Sequence, residues 1–320
     1  MRPAIIWQAV FFYQKQVIPG PNGNARGQIK MTQTIGFLGA GRMAAAMIKR
    51  LLSKGYEIKV WNRNQAKIEP LAALGATGCS TPAAAAQNCD IVISFMADDS
   101  ASEAVWLGDN GALAAMGKGA LAIECSTLSH AFVLDLAQKI EAAGCRYIDA
   151  PVTGVPADVE AGNTVFLIGA ETSDLERARP LMEATGKKTV HFGTVGAGTV
   201  YKLMHNLLGA VHIAAAAELV AVAQKAGLDG NKVTETFEIG ANASPTGLMV
   251  LPGLIGGNHN EGIHFTTGLR TKDAGYAMLL AKEYGLTLPV GQAAHGVFEN
   301  ATAEGLGDLA QSAVIEPLKR

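Results

Sequence analysis

The tightest constraint in this 320-residue sequence is Gly39-Ala40-Gly41-Arg42-Met43-Ala44, a G-x-G-x-x-A pattern. It follows the strand-like run Ile35–Leu38 and opens the helical pattern Arg42–Ser53. A glycine at 39 permits a tight turn, one at 41 lets backbone approach an anion, and Ala44 is small enough for the helix to pack closely on the strand. The free N–H groups at the helix N-terminus then face the loop, an arrangement that receives a pyrophosphate. Between strand and helix, the pattern predicts a βαβ unit binding a dinucleotide through Gly39, Ala40, Gly41, Arg42 and Met43.

Downstream, strand-like and helical runs alternate. Ile58–Trp61 precedes a helical stretch over Gln65–Leu74, and Ile91–Phe95, Leu121–Glu124, Tyr147–Asp149 and Thr164–Gly169 continue the strands. Such alternation signals βαβ units and a parallel sheet, expected to extend to about Gly193. Beyond Val195 the strand-like runs disappear and Ala, Leu and Glu dominate. The expected fold class is therefore α/β, a Rossmann doubly wound parallel sheet over residues 31–193 followed by an all-α C-terminal domain over 194–320. Residues 1–30 hold Pro19-Gly20-Pro21-Asn22-Gly23-Asn24 and read as a flexible extension ahead of Met31. Ala4–Tyr13 is apolar, yet it contains Gln8 and leads to no small-residue cleavage site, so a signal peptide is not expected.

Composition narrows the partners. Lys and Arg number 26 against 28 Asp and Glu, a net charge of −2, which offers no basic field for nucleic acid. The apolar stretch Leu207–Ala223 approaches the length of a membrane span, but His212 and Glu218 lie within it and Lys202 and Lys225 bound it; it reads as a buried helix, with no membrane partner. Cys79, Cys89, Cys125 and Cys145 show no C-x-x-C spacing, which argues against a metal site or a disulfide framework and fits a cytoplasmic setting.

The second strand ends in Asn62-Arg63-Asn64, where an NAD-binding fold would place an acid to accept the ribose hydroxyls. Arg63 offers a bidentate donor to a 2′-phosphate instead, which favours NADP (NADPH) over NAD; the plain alternative is a solvated loop charge.

Four motifs in order resemble the β-hydroxyacid dehydrogenase family. They are Ile35-Gly36-Phe37-Leu38-Gly39-Ala40-Gly41-Arg42-Met43, Glu124-Cys125-Ser126-Thr127, Asp149-Ala150-Pro151-Val152-Thr153-Gly154, and Gly196-Ala197-Gly198-Thr199-Val200-Tyr201-Lys202-Leu203-Met204-His205-Asn206. A weaker fifth match is Thr271-Lys272-Asp273. The family includes 3-hydroxyisobutyrate dehydrogenases and tartronate, glyoxylate and succinic semialdehyde reductases, and is related to 6-phosphogluconate dehydrogenase.

The resemblance implies that Lys202 and Asn206 are catalytic. Four residues apart on a helix they share a face, so an ammonium can protonate a carbonyl oxygen while an amide orients it. It further implies that Ser126, Thr153 and Gly154 contact the substrate carboxylate or the nicotinamide edge, that Met96, Ala97 and Thr127 line the cofactor, and that Lys272 closes over it. Ser126 and Thr127 also suit helix capping, and Met96 suits a core. The sequence departs from the family at Val155, where a glycine is common, at His130, where a proline is common, and at His205, where an asparagine is usual. His205 lies three residues from Lys202 and is a candidate substrate contact, or else a packing residue. The expected activity is NADPH-dependent reduction of a small semialdehyde or 2-oxo acid by a homodimer or homotetramer. Imine reduction and a non-catalytic NADP-binding scaffold are the rivals. Related imine reductases usually carry Asp or Tyr in place of Lys202, and retention of both Lys202 and Asn206 speaks against a scaffold.

Overall fold

The structure, a computed structural model, describes residues 33–320. The expected extension over residues 1–30 lies outside the described residues. Strands β1 (Thr34–Leu38), β2 (Glu57–Trp61), β3 (Thr77–Cys79), β4 (Ile91–Ser94), β5 (Leu121–Glu124) and β6 (Arg146–Asp149) pair in parallel in the order β3-β2-β1-β4-β5-β6. The chain continues into β7 (Val152–Thr153), then returns as β8 (Thr164–Gly169), antiparallel to both β6 and β7. β9 (Gly186–Gly193) adds parallel to β8. Strand order reverses between β1 and β4, and a ligand crevice is expected outside the carboxyl ends of those two strands.

The connecting helices are α1 (Arg42–Ser53), α2 (Glu69–Ala72), α3 (Pro82–Ala86), α4 (Asp99–Leu107), α5 (His130–Ala142), α6 (Pro156–Ala161) and α7 (Thr172–Thr185). They cover both faces of the sheet. Ile35, Phe37, Ile91, Ile93 and Ile123 pack with α1 and α7, while Val92, Ala122 and Tyr147 pack with Trp106 of α4 and Leu136 and Ile140 of α5. Burial on both faces is why the central strands are continuous apolar runs.

Three local expectations change. Gln65–Leu74 is not one helix but a 3-10 turn over Gln65–Lys67 followed by α2. Asn64 Oδ1 caps Ala66 N at 3.1 Å, and Pro70 has no N–H with which to continue a helix. β3 and β9 were not legible as strands, because one is Thr-Gly-Cys and the other carries Lys187, Lys188 and His191 along a largely unburied edge. The sheet is also not wholly parallel, since β8 runs against β6 and β7.

The helical half comprises α8 (Ala197–Lys225), α9 (Gly230–Ile239), α10 (Pro245–Gly256), α11 (Thr267–Glu283), α12 (Pro289–Ala301) and a closing 3-10 segment, Gln311–Lys319. α8 is central: Leu203, Leu207, Ala210, Ile213 and Ala217 meet Leu251 and Leu254 of α10, Ala277 and Leu280 of α11, Phe298 of α12, and Val314 and Ile315. By length and composition α8 could cross a membrane, but half of its most apolar window is buried in this core.

Asp149, at the end of β6, sets where α8 begins. Its buried carboxylate accepts from Gly196 N at 2.6 Å, Thr199 N at 2.7 Å and Thr199 Oγ1 at 2.9 Å. Three donors and the helix dipole favour the anion, yet burial outweighs them and pushes the carboxyl up to about 6.

Candidate active site

The glycine-rich loop follows β1 and turns into α1. Gly39 has φ +107°, and a Cβ there would lie 2.6 Å from Phe95 O and 2.9 Å from Met96 Cε, so only glycine fits. At Gly41 an added Cβ would meet nothing within 4 Å, which leaves open space above the helix start. No side chain caps α1, and the first internal amide bond is Ala45 N to Gly41 O at 2.8 Å. The amides of Arg42, Met43 and Ala44 are therefore available to an anion. Ala40 N donates to Asn62 Oδ1 at 2.9 Å, tying the loop to the end of β2, and Arg63 beside it is exposed. These residues fit a dinucleotide. The Arg42 side chain turns elsewhere and donates to the carbonyls of Ile263 and His264, so its contribution to the loop is its backbone N–H.

After β4, Met96 N donates to Ser126 Oγ at 2.6 Å, and Ala97 is exposed next to it. Ser126 Oγ donates in turn to Glu124 Oε1 at 2.5 Å. Glu124 is 1% exposed and also accepts from Ser126 N (3.0 Å), Ser102 Oγ (2.8 Å) and Trp106 Nε1 (2.8 Å). Burial raises its pKa despite these donors. Ser126 is thus held from both sides with its proton committed to Glu124, and a substrate contact from it requires that bond to open. Thr127 is half-buried, and its carbonyl accepts from Lys272 Nζ at 2.6 Å, bringing α11 over the turn. Tyr276 Oη accepts from Asp99 N at 3.3 Å, and His130 Nδ1 lies 2.7 Å from Glu283 Oε2, so α11 is fastened along its length.

Lys202 and Asn206 lie one turn apart on α8. Asn206 is buried and donates through Nδ2 to Asp273 Oδ2 at 2.6 Å. Asp273 is 2% exposed; Lys272 Nζ stands 2.8 Å from its Oδ1 as an ion pair without hydrogen-bond geometry, so that oxygen keeps acceptor capacity. Lys202 keeps part of its surface accessible. Burial pulls its ammonium down to about 8; Asp273 opposes the shift, while Arg270 and Lys272 add to it. A lysine poised there can give and take a proton near neutral pH. His205 is exposed and stacks at 6.1 Å on Tyr201, itself stacked at 4.4 Å on Phe192. Burial, Lys202 and Arg270 lower the His205 pKa, which favours the neutral ring.

Contacts join Gly39 with Met96, Met96 with Ser126, Thr127 with Lys272, and Asn206 with Asp273. Thr153 and Gly154 lie at the end of β7, where Gly154 has φ +113° and a Cβ would sit 3.0 Å from Asp158 Oδ2. No hydrogen bond links either of them to Lys202 among the described residues. Asp273 and Arg270 were not singled out from sequence. The signal was present: both fall in the buried stripe Thr267, Arg270, Asp273, Ala274, Ala277, Leu280, so charges sit in phase with the apolar face of α11.

Residues 34–193 match the NAD binding domain of 6-phosphogluconate dehydrogenase, and residues 196–318 match the NAD-binding domain of NADP-dependent 3-hydroxyisobutyrate dehydrogenase. The chain is 32% identical to the chloroplastic glyoxylate/succinic semialdehyde reductase 2 of Arabidopsis thaliana, over 90% of this chain and 80% of that protein. It is 29% identical to the mitochondrial 3-hydroxyisobutyrate dehydrogenase of Drosophila melanogaster, over 90% of each. Among solved structures, a 3-hydroxyisobutyrate dehydrogenase from Salmonella typhimurium superposes with a TM-score of 0.83 at 25% identity, covering 89% of this chain and 99% of that one. Matched across both halves, the chain belongs to the β-hydroxyacid dehydrogenase family and is an NAD(P)-dependent oxidoreductase acting on CH–OH groups.

Proposed function

We propose that the protein reduces a short semialdehyde or 2-oxo acid with NADPH, and oxidises the corresponding hydroxyacid in reverse. The observation that carries this reading is Lys202 beside Asn206 and Asp273, with its ammonium pulled down to about 8. A bound nicotinamide supplies or accepts the hydride. In reduction Lys202 gives its proton to the carbonyl oxygen, and in oxidation neutral Lys202 takes the hydroxyl proton. Asn206, its amide set by Asp273, orients the same oxygen. Thr127 and the Thr153–Gly154 turn offer hydroxyl and peptide N–H donors to the substrate carboxylate, which suit an anion without adding charge. Lys272, anchored on the Thr127 carbonyl, closes the cleft. Arg63 supports the preference for NADPH, as an exposed cation beside the Asn62 that holds the loop.

The exposed apolar side chains Tyr201, Met204, Leu208, Leu219 and Val222 on α8 support assembly as a homodimer or homotetramer. Free Cys79, Cys89, Cys125 and Cys145 support a cytoplasmic location. The test is NADPH and NADH oxidation across a panel of small aldehydes, 2-oxo acids and cyclic imines. Turnover of the aldehydes or oxo acids with NADPH supports the reading. Turnover of the imines alone, or NADPH binding with no turnover at all, replaces it.

A further inference from the structure

Arg270 is 7% exposed and enters the packing between α8, α11 and the Gln311–Lys319 segment. Its Nη1 donates to Asn206 O at 2.9 Å, and its Nε and Nη2 donate to Gln311 Oε1 at 3.1 and 2.9 Å. The Phe265 ring lies 4.6 Å from the guanidinium. A Cβ added at Gly209 would come within 3.0 Å of Nη1, so the helix is cut away to admit the group.

What holds this buried cation is an amide, a carbonyl and a ring face, all neutral. Asp273 stands one turn along the same helix, but it directs Oδ2 to Asn206 and pairs Oδ1 with Lys272. Removing a charge from water without an ionic partner is costly, and a neutral side chain would fill the same space more cheaply. Asp273 attracts the guanidinium from a distance, but among the described residues no carboxylate pairs with it, and the charge acts on its neighbours. Lys202 is faced by Asp273, Lys272 and Arg270 from α11 and by His205 from its own helix; Gln311, from the closing segment, is neutral. Asp273 holds a proton on Lys202, and the cations drive it off.

We propose that Arg270 is a positioning residue for Lys202: it fixes the Asn206 carbonyl from behind and, through its unpaired charge, helps set the pH at which the lysine exchanges its proton. The idea rests on the reading of Lys202 as the proton donor. The sign is consistent, because Arg270 and Lys272 both lower the Lys202 pKa while Asp273 raises it. Burial brings the Arg270 guanidinium itself down to about 10 against the opposing pull of Asp273, so it is still charged where Lys202 titrates.

The experiment is acetic anhydride labelling of Lys202 over a range of pH, quantified by mass spectrometry against an added peptide amine. It reads lysine ionisation whether or not a substrate is known. Arg270→Gln should move half-labelling to higher pH and slow labelling at pH 8 by at least about threefold, as a more fully protonated amine requires. Arg270→Lys, which keeps the charge, should label as the unmodified protein does. If Arg270→Gln does not fold, Gln311→Glu is nearly isosteric, sets a carboxylate against the guanidinium, and should move labelling the same way. An unchanged labelling pH in the folded neutral variant or in Gln311→Glu overturns the proposal, as does an equal shift in Arg270→Lys. Undiminished turnover in Lys202→Met would instead sink the catalytic reading and leave the labelling result to decide the role of Arg270.

Discussion

Asn206 donates from Nδ2 to Asp273 Oδ2 at 2.6 Å, with both side chains buried. The bond uses one of the two Nδ2 hydrogens and leaves the other to reach a ligand oxygen. Asp273→Asn keeps the shape but removes the negative charge that, among the described residues, holds a proton on Lys202. The Lys202 pKa should then fall further and the alkaline limit of reduction should move to lower pH. Turnover at pH 7.5 is expected to drop about tenfold or more, equivalent to about 1.4 kcal/mol in barrier. A pH–rate profile checks it; a lower plateau with an unmoved limb would mean that Asp273 acts through shape alone.

On the proposed reading of Lys202 as the proton donor, the two reaction directions should respond oppositely to pH. Reduction uses the ammonium and should decline as pH rises through about 8, whereas oxidation uses the amine and should rise through the same region. Stability carries the same signature. With a folded pKa of about 8 against an ordinary value of 10.5, the unfolded chain binds more protons between those values, so stability gains with pH across that window. Lys202→Met should therefore be more stable at pH 7, by about 1–3 kcal/mol, with the advantage shrinking toward pH 10. Urea melts at the two pH values measure it.

Arg63 is expected to act on one cofactor only. Arg63→Ala should weaken NADPH binding by about 1.5–3 kcal/mol, the range for a hydrogen bond to a charged group, and leave NADH nearly unchanged. Titration calorimetry with both nucleotides separates the outcomes, and equal affinity of the unmodified protein for the two would remove the basis for the assignment.

Glu124 gathers four hydrogen bonds from Ser102, Trp106 and Ser126. In Glu124→Gln an NH2 group replaces one acceptor and must face either the Trp106 N–H or the Ser126 N–H, neither of which can reverse. The cost should be about 1–3 kcal/mol of stability, read as a lower urea midpoint with an unchanged slope. An unaltered midpoint would show that the network is looser than drawn.

What could be read from sequence follows from how local each signal is. β1, β4 and β5 lie in the middle of the sheet and are mostly apolar, so Ile91–Ser94 and Leu121–Glu124 announced themselves. β9 forms an exposed edge of lysines and histidine, and only pairing with β8 makes it a strand. Lys202 and Asn206 stood out because the Gly196–Asn206 run resembles the family's motif, and their four-residue spacing places them on one helical face. The commitment of the Ser126 hydroxyl was not, because Glu124 and Met96 reach it from two different strand ends. Arg270 and Gln311 are 41 residues apart and meet only once the chain has folded back on α8.

The Asp149 clamp has a consequence for how the cleft can open. Asp149 ends β6, and it grips the first turn of α8 through Gly196 and Thr199; a side chain at Gly198 would run into the Leu167 carbonyl of β8. The start of α8 is thereby welded to the sheet, and Lys202 sits only a turn beyond the weld. A hinge at this join would have to strip a buried carboxylate of its donors, and α11, bound to α8 through Asp273 and Arg270 on Asn206, is carried with it. Lys202 is thereby held at a fixed place against the nucleotide half of the molecule, and its distance from a bound ring is preserved.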